Sequence, residues 1–147
     1  MSIRKDPFEA LLDGRKKHEF RRKFYLNNPC QSVFYVSSPV KAICGVGIFD
    51  KPIYDTIDNL VKIIKSHSFS SPESLKSYFK DVDYGYALPI KKIKNINPIS
   101  LAEIREEIPN FRPPQSYCCF DLIKFKPYLR RLSLYETPNE TIQRTFF

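Results

Sequence analysis

A chain of 147 residues, of which 42% are hydrophobic and 14% aromatic, can bury one sizeable core, and this composition excludes a disordered or low-complexity protein. The net charge of +8 favours a polyanionic partner, either nucleic acid or anionic lipid, and charge alone does not choose between them. No apolar run approaches the ~20 residues that span a bilayer, and residues 1–20 lack the apolar region of a signal peptide, so we expect a cytoplasmic protein with no membrane partner.

The cysteines and histidines show no metal-binding pattern. Cys30, Cys44, Cys118 and Cys119 lack C-x-x-C spacing, and the chain has only two histidines. In a protein without a secretion signal, this spacing favours free thiols. The sequence therefore predicts no metal and no cofactor.

The first predicted element is a short helix over residues 6–13. Asp6 is a suitable N-cap, Pro7 suits the first helical position, and Gly14 stands just past the end. A complete set of start and stop signals within nine residues predicts that the chain leaves the helix sharply at Gly14.

A strand is predicted to follow at residues 17–24. Because side chains alternate along a strand, Glu19 and Arg21 are expected on one face and His18 on the other. The opposite face makes His18 a core or supporting residue in preference to a catalyst. This alternation places one carboxylate and one guanidinium side by side.

Two further strands, at residues 32–37 and 40–49, are rich in β-branched and aromatic residues and are joined by a turn at 37–39. Gly45 and Gly47 interrupt the second strand. Glycines inside a strand indicate either a bulge that bends the sheet or simple tight packing, and the sequence leaves both open.

The remaining elements follow from apolar spacing and capping signals. The sequence predicts helices at residues 55–66, 71–79 and 100–108, and strands at 86–96 and 115–120. Strands and short helices mixed without a regular βαβ alternation predict an α+β domain around a small, mostly antiparallel sheet or barrel.

The periodicity weakens after residue 123. Basic and aromatic residues alternate from Lys124 onward, so we expect a domain at residues 1–123 and a basic, aromatic C-terminal extension at 124–147. Whether the extension packs on the barrel or docks a protein partner through its terminal aromatics is left open, because no motif supports a partner.

One motif concentrates charge, Gly14-x-Lys16-x-x-Glu19-x-Arg21. Lys16 projects from the turn after the helix, and Glu19 and Arg21 project together from the strand, so all three can line one concave surface. A solvated charged strand is an equally weighted interpretation, since most charge runs lie on the surface and exposed ion pairs contribute only ~0–1 kcal/mol.

The motif G-x-K-x-x-E-x-R after a short helix resembles the signature of the ASCH (activating signal cointegrator homology) family of small PUA-like β-barrel domains. Family-like segments continue in the same order over about residues 6–120. These segments lie at residues 32–39, 42–46, 78–79, 84–87, 98–101 and 113–117. The resemblance implies a PUA-like barrel with flanking short helices and a cleft onto which Lys16, Glu19 and Arg21 project.

The resemblance also implies a nucleic-acid-binding module that holds a nucleotide in this basic cleft. RNA is the favoured partner, DNA is left open, and a role in RNA-linked or transcriptional regulation is the corresponding hypothesis. Lys16 and Arg21 can hold phosphate, while Glu19 can orient Arg21 or accept a hydrogen bond from a base or a ribose hydroxyl.

Five further residues are candidates for nucleic-acid contacts. Ser38 and Lys41 can contact phosphate beside the cleft, and Tyr117 can stack on a base. Gln115 and Ser116 rest on the resemblance more than on their chemistry. A turn former, a solvated lysine and a core tyrosine are equally weighted interpretations of Ser38, Lys41 and Tyr117.

The alternative is a metal-independent hydrolase acting on modified nucleosides or on RNA. Some ASCH-like amidohydrolases use a lysine and a threonine nucleophile; Lys16 occupies the lysine's place, but Glu19 occupies the threonine's, so that mechanism does not transfer. Other family members are ribonucleases, and Lys16 with Glu19 could exchange protons if burial brought their pKa values toward neutrality. The residues favour a binding module over an enzyme.

Overall fold

The computed structural model describes residues 1–26, 28–64, 69–118, 125–132 and 145–146. The strands are β1 (Ser2–Ile3), β2 (His18–Arg21), β3 (Cys30–Val36), β4 (Ala42–Phe49), β5 (Ile53–Thr56), β6 (Tyr84–Ser100) and β7 (Thr145–Phe146). The helices are α1 (Lys5–Leu12), α2 (Ile57–Ile63), α3 (Pro72–Tyr78), α4 (Leu101–Glu107) and α5 (Leu129–Leu132), the last preceded by a 3₁₀ turn at Lys126–Tyr128. None of the helices in these ranges is long and apolar enough to cross a bilayer.

The strands form one curled, mostly antiparallel sheet in the order β1-β3-β4-β6-β2, with β5 added to β6 and β7 to β3. Strand β6 makes the curl: its 17 residues pair with β4 over the second half and with β2 and β5 over the first. Strands β1 and β2 are the two ends of this order. In the part of the chain described, no ladder joins them, so the barrel has an open seam there.

Three apolar clusters hold the helices on the sheet. The first fills the inside of the curl beneath α1, where Phe8 packs on Phe34. The second joins the sheet to α4 through Ile104. The third joins β2 and β6 to α2 and α3, where Phe20 meets Phe79 edge to face. Phe20 of β2 is therefore buried beneath α2 and α3.

Part of the predicted C-terminal extension packs on the sheet. Phe125, Tyr128 and Leu132 are buried in the cluster that contains Ile104. The Tyr128 hydroxyl also donates a 2.8 Å hydrogen bond to the carbonyl oxygen of Glu103. Most of the remaining extension, residues 133–144 and 147, lies outside the described residues, and the boundary at residue 123 stays a prediction.

Local capping signals predicted helix starts well where a side chain completes the cap. Ser71 and Ser74 form a reciprocal capping box at α3, and Ser100 accepts a hydrogen bond from the Glu103 backbone at α4. The N-cap predicted at Asp6 is wrong: Arg4 is the N-cap of α1, and no side-chain hydrogen bond completes it. Asp6 lies instead in the first turn, where a carboxylate is favoured by the helix dipole.

The strand predicted at residues 115–120 is wrong over 115–118, where residues 115–116 form a bend and residues 117–118 have no regular structure; residues 119–120 lie outside the described residues. Pro113 and Pro114 lead into this segment and have no backbone N–H to donate to a ladder. The segment meets β1 by isolated bonds only, with the Ser2 N–H donating to the Ser116 carbonyl at 2.8 Å.

Gly45 satisfies both interpretations of a glycine inside a strand. The register between β4 and β6 shifts between Ile43 and Gly45, which marks a bulge. A Cβ atom at Gly45 would lie 2.7 Å from Cζ of Phe8 and 2.9 Å from the carbonyl oxygen of Lys94. The glycine therefore lets α1 approach the bent sheet closely.

Gly45→Ala is expected to lower the free energy of unfolding by about 1–3 kcal/mol, because the added methyl must displace a buried ring or the β6 backbone. Urea denaturation monitored by circular dichroism measures this change. Asn97→Ala, at an exposed position of β6, is the control and should remain within about 0.5 kcal/mol of the unmodified protein. Equal midpoints for the two variants would contradict the close approach.

Candidate functional site

The motif Gly14-x-Lys16-x-x-Glu19-x-Arg21 forms the turn after α1 and the strand β2. Gly14 has a φ of +80°, a conformation that glycine adopts without strain, and this lets the chain reverse directly after the helix. The turn is held by a 2.8 Å hydrogen bond from the Lys16 N–H to the carbonyl oxygen of Ala10. Lys16 is thereby brought back over the start of β2.

Glu19 lies between the two cations of the motif. Lys16 Nζ donates a hydrogen bond to Glu19 Oε2, and Arg21 Nη1 lies 2.5 Å from Glu19 Oε1. Only 7% of Lys16 and 4% of Glu19 is exposed to solvent. The predicted shared face of Glu19 and Arg21 is present, and a solvated charged strand does not describe these residues.

Arg21 also reaches across the seam of the barrel. Its Nη2 donates to the carbonyl oxygen of Ser2 in β1 at 3.2 Å, and Nη1 donates to the carbonyl oxygen of Phe20 at 3.2 Å. The guanidinium thus connects β2 to β1, the two strands that no ladder joins in the described residues. A planar group with five donors suits this task, whereas a lysine could not span it in the same way.

The charges around Glu19 control its protonation. Burial raises the pKa of the Glu19 carboxyl, but the charges of Arg21 and Lys16, together with their hydrogen bonds, outweigh burial, and the net shift is downward. Glu19 is therefore a carboxylate at neutral pH. The sequence had left open a pKa raised toward neutrality, and the geometry acts in the opposite direction.

A cleft of about 460 Å³ opens above these three side chains, between the β1–α1 segment, β2 and α3. Three cations, Arg4, Lys16 and Arg21, and one carboxylate line it, so its charge is net positive. The other lining residues are Ser2, Ile3, Pro7, Phe20, Phe69, Ser70, Ser74, Leu75 and Tyr78. The cleft combines a cationic floor with two accessible aromatic walls, Phe69 and Tyr78.

Sequence reasoning missed Arg4, Phe69 and Tyr78 as site residues. Arg4 precedes the motif. Phe69 lies just before α3 and Tyr78 is the last residue of α3, so both follow Gly14 by more than fifty positions. Lys16 Nζ lies 5.9 Å from the ring centroid of Phe69. No local signal marked Arg4 or Phe69, while Tyr78 lay in a segment that resembles the ASCH family.

The other predicted contacts lie outside this cleft. Gln115 lines an adjoining hollow of about 280 Å³ that shares Ser2, Ile3 and Arg4 with the cleft. Ser116 is exposed beside it, and Ser38 and Lys41 are exposed in the turn between β3 and β4. The structure therefore brings Lys16, Glu19 and Arg21 together, while Ser38, Lys41, Gln115 and Ser116 do not line the cleft.

Tyr117 is packed against other aromatic rings. Its ring centroid lies 4.9 Å from that of Phe24 and 6.2 Å from that of Tyr25. Burial raises the pKa of the Tyr117 hydroxyl to about 12, so the group is neutral at physiological pH. Among the residues that the structure describes, no group of three or more His, Cys, Asp or Glu side chains is placed to hold a metal ion.

Comparisons with known proteins identify the fold. No protein-family model matches the chain. A curated relative, an ASCH domain-containing ribonuclease of Zymomonas mobilis, is 28% identical over 109 residues, or 74% of each chain. The crystal structure of ASCH from Zymomonas mobilis superposes with a TM-score of 0.81 at 24% identity, over 92% of this chain and 96% of that one. A mutant ASCH protein from the same organism gives 0.79 at 23% identity, over 88% of this chain and 94% of that one.

The chain thus has the fold of an ASCH domain, and the resemblance inferred from the motif is confirmed. The predicted α+β, PUA-like architecture is also confirmed, as a curled mixed sheet with short helices around it. The superposition covers more of the chain than residues 6–120, which carry the motif-based resemblance.

Glu19→Gln is expected to lower the free energy of unfolding by about 3 kcal/mol at neutral pH, because it leaves Lys16 and Arg21 buried without their counter-charge. The control is Glu9→Gln, which removes the exposed Lys5–Glu9 pair and should change stability by less than about 0.5 kcal/mol. Chemical denaturation gives both values. A Glu19→Gln protein as stable as Glu9→Gln would contradict the role of the buried carboxylate.

The same pair of variants carries a pH signature. The folded-state pKa of Glu19 is lowered below its ordinary value of 4.5, so its contribution to stability is complete above that pH and is lost as the pH falls toward the folded-state pKa. The stability difference between the unmodified protein and Glu19→Gln should therefore shrink below about pH 4.5. Denaturation at a series of pH values tests this, and a difference that grows on acidification would contradict it.

Proposed function

We propose that this chain binds single-stranded RNA and holds one nucleotide in the cleft between β1, β2 and α3. The carrying observation is the buried carboxylate of Glu19, which fixes Lys16 and Arg21 at the floor of a net-positive cleft. Burying three charges costs free energy that apolar residues of similar size would not cost. Perturbed, paired charges in a cleft favour a functional role for the group.

The cationic residues provide phosphate recognition. Lys16 Nζ has three N–H donors, of which Glu19 takes one, and Arg4 is exposed at the mouth of the same cleft. Glu19 acts here by orienting both cations, since each of its oxygens already faces one of them. The floor is thus preorganised for an anion before the ligand arrives.

The aromatic walls provide the contact for a base. Tyr78 is 40% exposed, and the Arg22 guanidinium lies 5.8 Å from its ring centroid. Bases stack on such rings with little sequence preference. RNA is favoured over DNA by the curated relative that is called a ribonuclease.

The adjoining hollow extends the proposed path of the strand. Arg4 lines both the cleft and this hollow, whose other residues include Ser37 and Gln115. Ser38 and Ser116 follow those two residues in the chain, and the Lys41 N–H donates to the Ser37 carbonyl at 3.3 Å. We place the next phosphate of the strand beyond Arg4, within reach of these polar groups.

Arg4→Ala is expected to weaken binding of a short single-stranded RNA and to reduce the slope of log affinity against log salt by about 0.7, the value for one lost phosphate contact. Fluorescence anisotropy between 50 and 300 mM salt measures the slope. Lys62→Ala, an exposed lysine on α2, is the charge-matched control. An affinity that neither falls with salt nor responds to Arg4→Ala would contradict binding in the cleft, and equal affinity for DNA would contradict the preference for RNA.

RNA cleavage is the second candidate function, and the name of the curated relative favours it. In metal-independent cleavage the ribose 2′-hydroxyl attacks the adjacent phosphorus, its proton passes to a base, and the departing 5′-oxygen takes up a proton. Glu19, held as a carboxylate, can accept the first proton; Lys16 can supply the second, and Arg21 can stabilise the negative charge on the phosphate oxygens.

End-labelled RNA incubated with the protein in EDTA tests this second function. Cleavage is expected to yield shortened products from RNA and none from its 2′-O-methyl analogue, because the nucleophile is then blocked. Glu19→Gln should abolish these products, whereas Glu9→Gln should not. RNA that stays bound and intact over hours with the unmodified protein would contradict cleavage and leave the binding function standing.

A further inference from the structure

A row of aromatic side chains with two exposed ends lies next to the cleft. Phe24 in its middle is buried in the apolar cluster inside the curl, and Tyr86 and Tyr117 pack against that cluster. Consecutive ring centroids are separated by 4.7 to 6.3 Å. In order, the tyrosine row consists of Tyr84, Tyr54, Tyr86, Phe24, Tyr117 and Tyr25. None of these six rings lines the cleft.

Strand register explains why the row and the cleft share one side of the sheet. Tyr54 is directly opposite Tyr86 in the β5–β6 pairing, and Tyr86 is directly opposite Arg21 in the β2–β6 pairing. Side chains at directly opposed positions project on the same face of a sheet. Tyr86, in the middle of the row, therefore lies on the strand next to Arg21, whose guanidinium is at the floor of the cleft.

At its two ends the row is highly exposed for such large side chains. Tyr25 is 80% exposed, Tyr54 59% and Tyr84 50%, while Tyr54 and Tyr84 stack on each other with an interplanar angle of 23°. Tyr54 and Tyr84 form an exposed stacked pair at one end, and Tyr25 is exposed at the other. Exposed aromatics of this size on a small domain mark an interaction surface. Half of the row thus presents ring surface to solvent.

We propose that the exposed rings of the tyrosine row, Tyr54 and Tyr84 at one end and Tyr25 at the other, are stacking platforms for the part of a single-stranded RNA that extends beyond the cleft, an inference that rests on the proposed function. Aromatic rings in series are the device by which proteins bind successive bases without reading their sequence. A second connection leads from the row to the cleft: the Ser116 carbonyl, adjacent to Tyr117, accepts the hydrogen bond from Ser2, which lines the cleft.

The charges around the row give the strand a direction. Arg22 and Lys23 are exposed and precede Phe24 and Tyr25 in the chain, so this end offers phosphate contacts. Asp83 precedes Tyr84 at the other end and disfavours phosphate there. The phosphates of the RNA are therefore expected to follow the Tyr25 end of the row as the RNA leaves the cleft. The Tyr84 end contributes base stacking alone. A row that is cationic where it meets a cationic cleft favours RNA over a protein partner.

The test compares a three-nucleotide RNA, which is short enough to stay within the cleft and the adjoining hollow, with a twelve-nucleotide oligoadenylate, each measured by fluorescence anisotropy. Tyr54→Ala and Tyr84→Ala are each expected to weaken binding of the longer RNA by about five-fold or more, with the salt slope unchanged. Binding of the trinucleotide should not change. Tyr54→Phe should keep the affinity, because the ring remains.

Ile53→Ala is the matched control. Ile53 neighbours Tyr54 in β5 and is also partly exposed, but strand alternation puts it on the opposite face. Its replacement should leave the affinity for both RNAs unchanged. A loss in Ile53→Ala equal to that in Tyr54→Ala would show that β5 was merely disturbed and would overturn the platform.

The two proposals fail in different ways. Suppose that trinucleotide binding depends on Arg4, but the longer RNA binds no more tightly and its affinity is unchanged by Tyr54→Ala. The stacking platform is then wrong and RNA binding in the cleft is supported. The row would in that case be a surface for another class of partner. If the longer RNA responds to Tyr54→Ala but not to Arg4→Ala, the platform is supported and the cleft is wrong. Absence of RNA binding overturns both.

Discussion

The carboxylate of Glu19, buried between Lys16 and Arg21, closes the part of the barrel that strand pairing leaves open. Arg21 reaches from β2 to the Ser2 carbonyl of β1, and it is held in that position by its contact with Glu19. Each of these charges is tolerated inside the protein only because the others are present, since an unpaired buried charge costs several kcal/mol. The seam and the floor of the cleft are therefore one structural unit.

This unit explains how a small domain can hold a cationic site rigidly. The α1 turn delivers Lys16 from one side, and β2 presents Glu19 and Arg21 from the other. The Phe20 side chain of β2 is buried in the cluster beneath α2 and α3, which anchors the strand there. Charged side chains on an anchored strand lose little further conformational entropy when an anion binds, which favours affinity.

How well each element could be predicted depended on the range of the interactions that form it. The capping serines Ser71 and Ser100 bond within their own first turn, so their sequence spacing was sufficient. The start of α1 was misplaced because Arg4 adopts the cap conformation without any side-chain bond that a sequence pattern could reveal. The strand predicted at residues 115–120 was wrong over 115–118. Its apolar content is typical of a strand, but Pro113 and Pro114, which lead into it, have no N–H groups to donate to a ladder.

The sequence by itself determined which side chains of the motif share a face, because the two-residue period of a strand is a local property of the backbone. The sequence also carried the resemblance to the ASCH family, because its short family-like segments follow one another in the family's order. Only the tertiary structure decided that Glu19 is buried and ionised, that Arg4, Phe69 and Tyr78 complete the cleft, and that the tyrosine row runs beside it. Apart from the ion pairs of Glu19 with its neighbours in the motif, these contacts join positions tens of residues apart. They depend on how the strands pair and how the sheet curls, which no local pattern encodes.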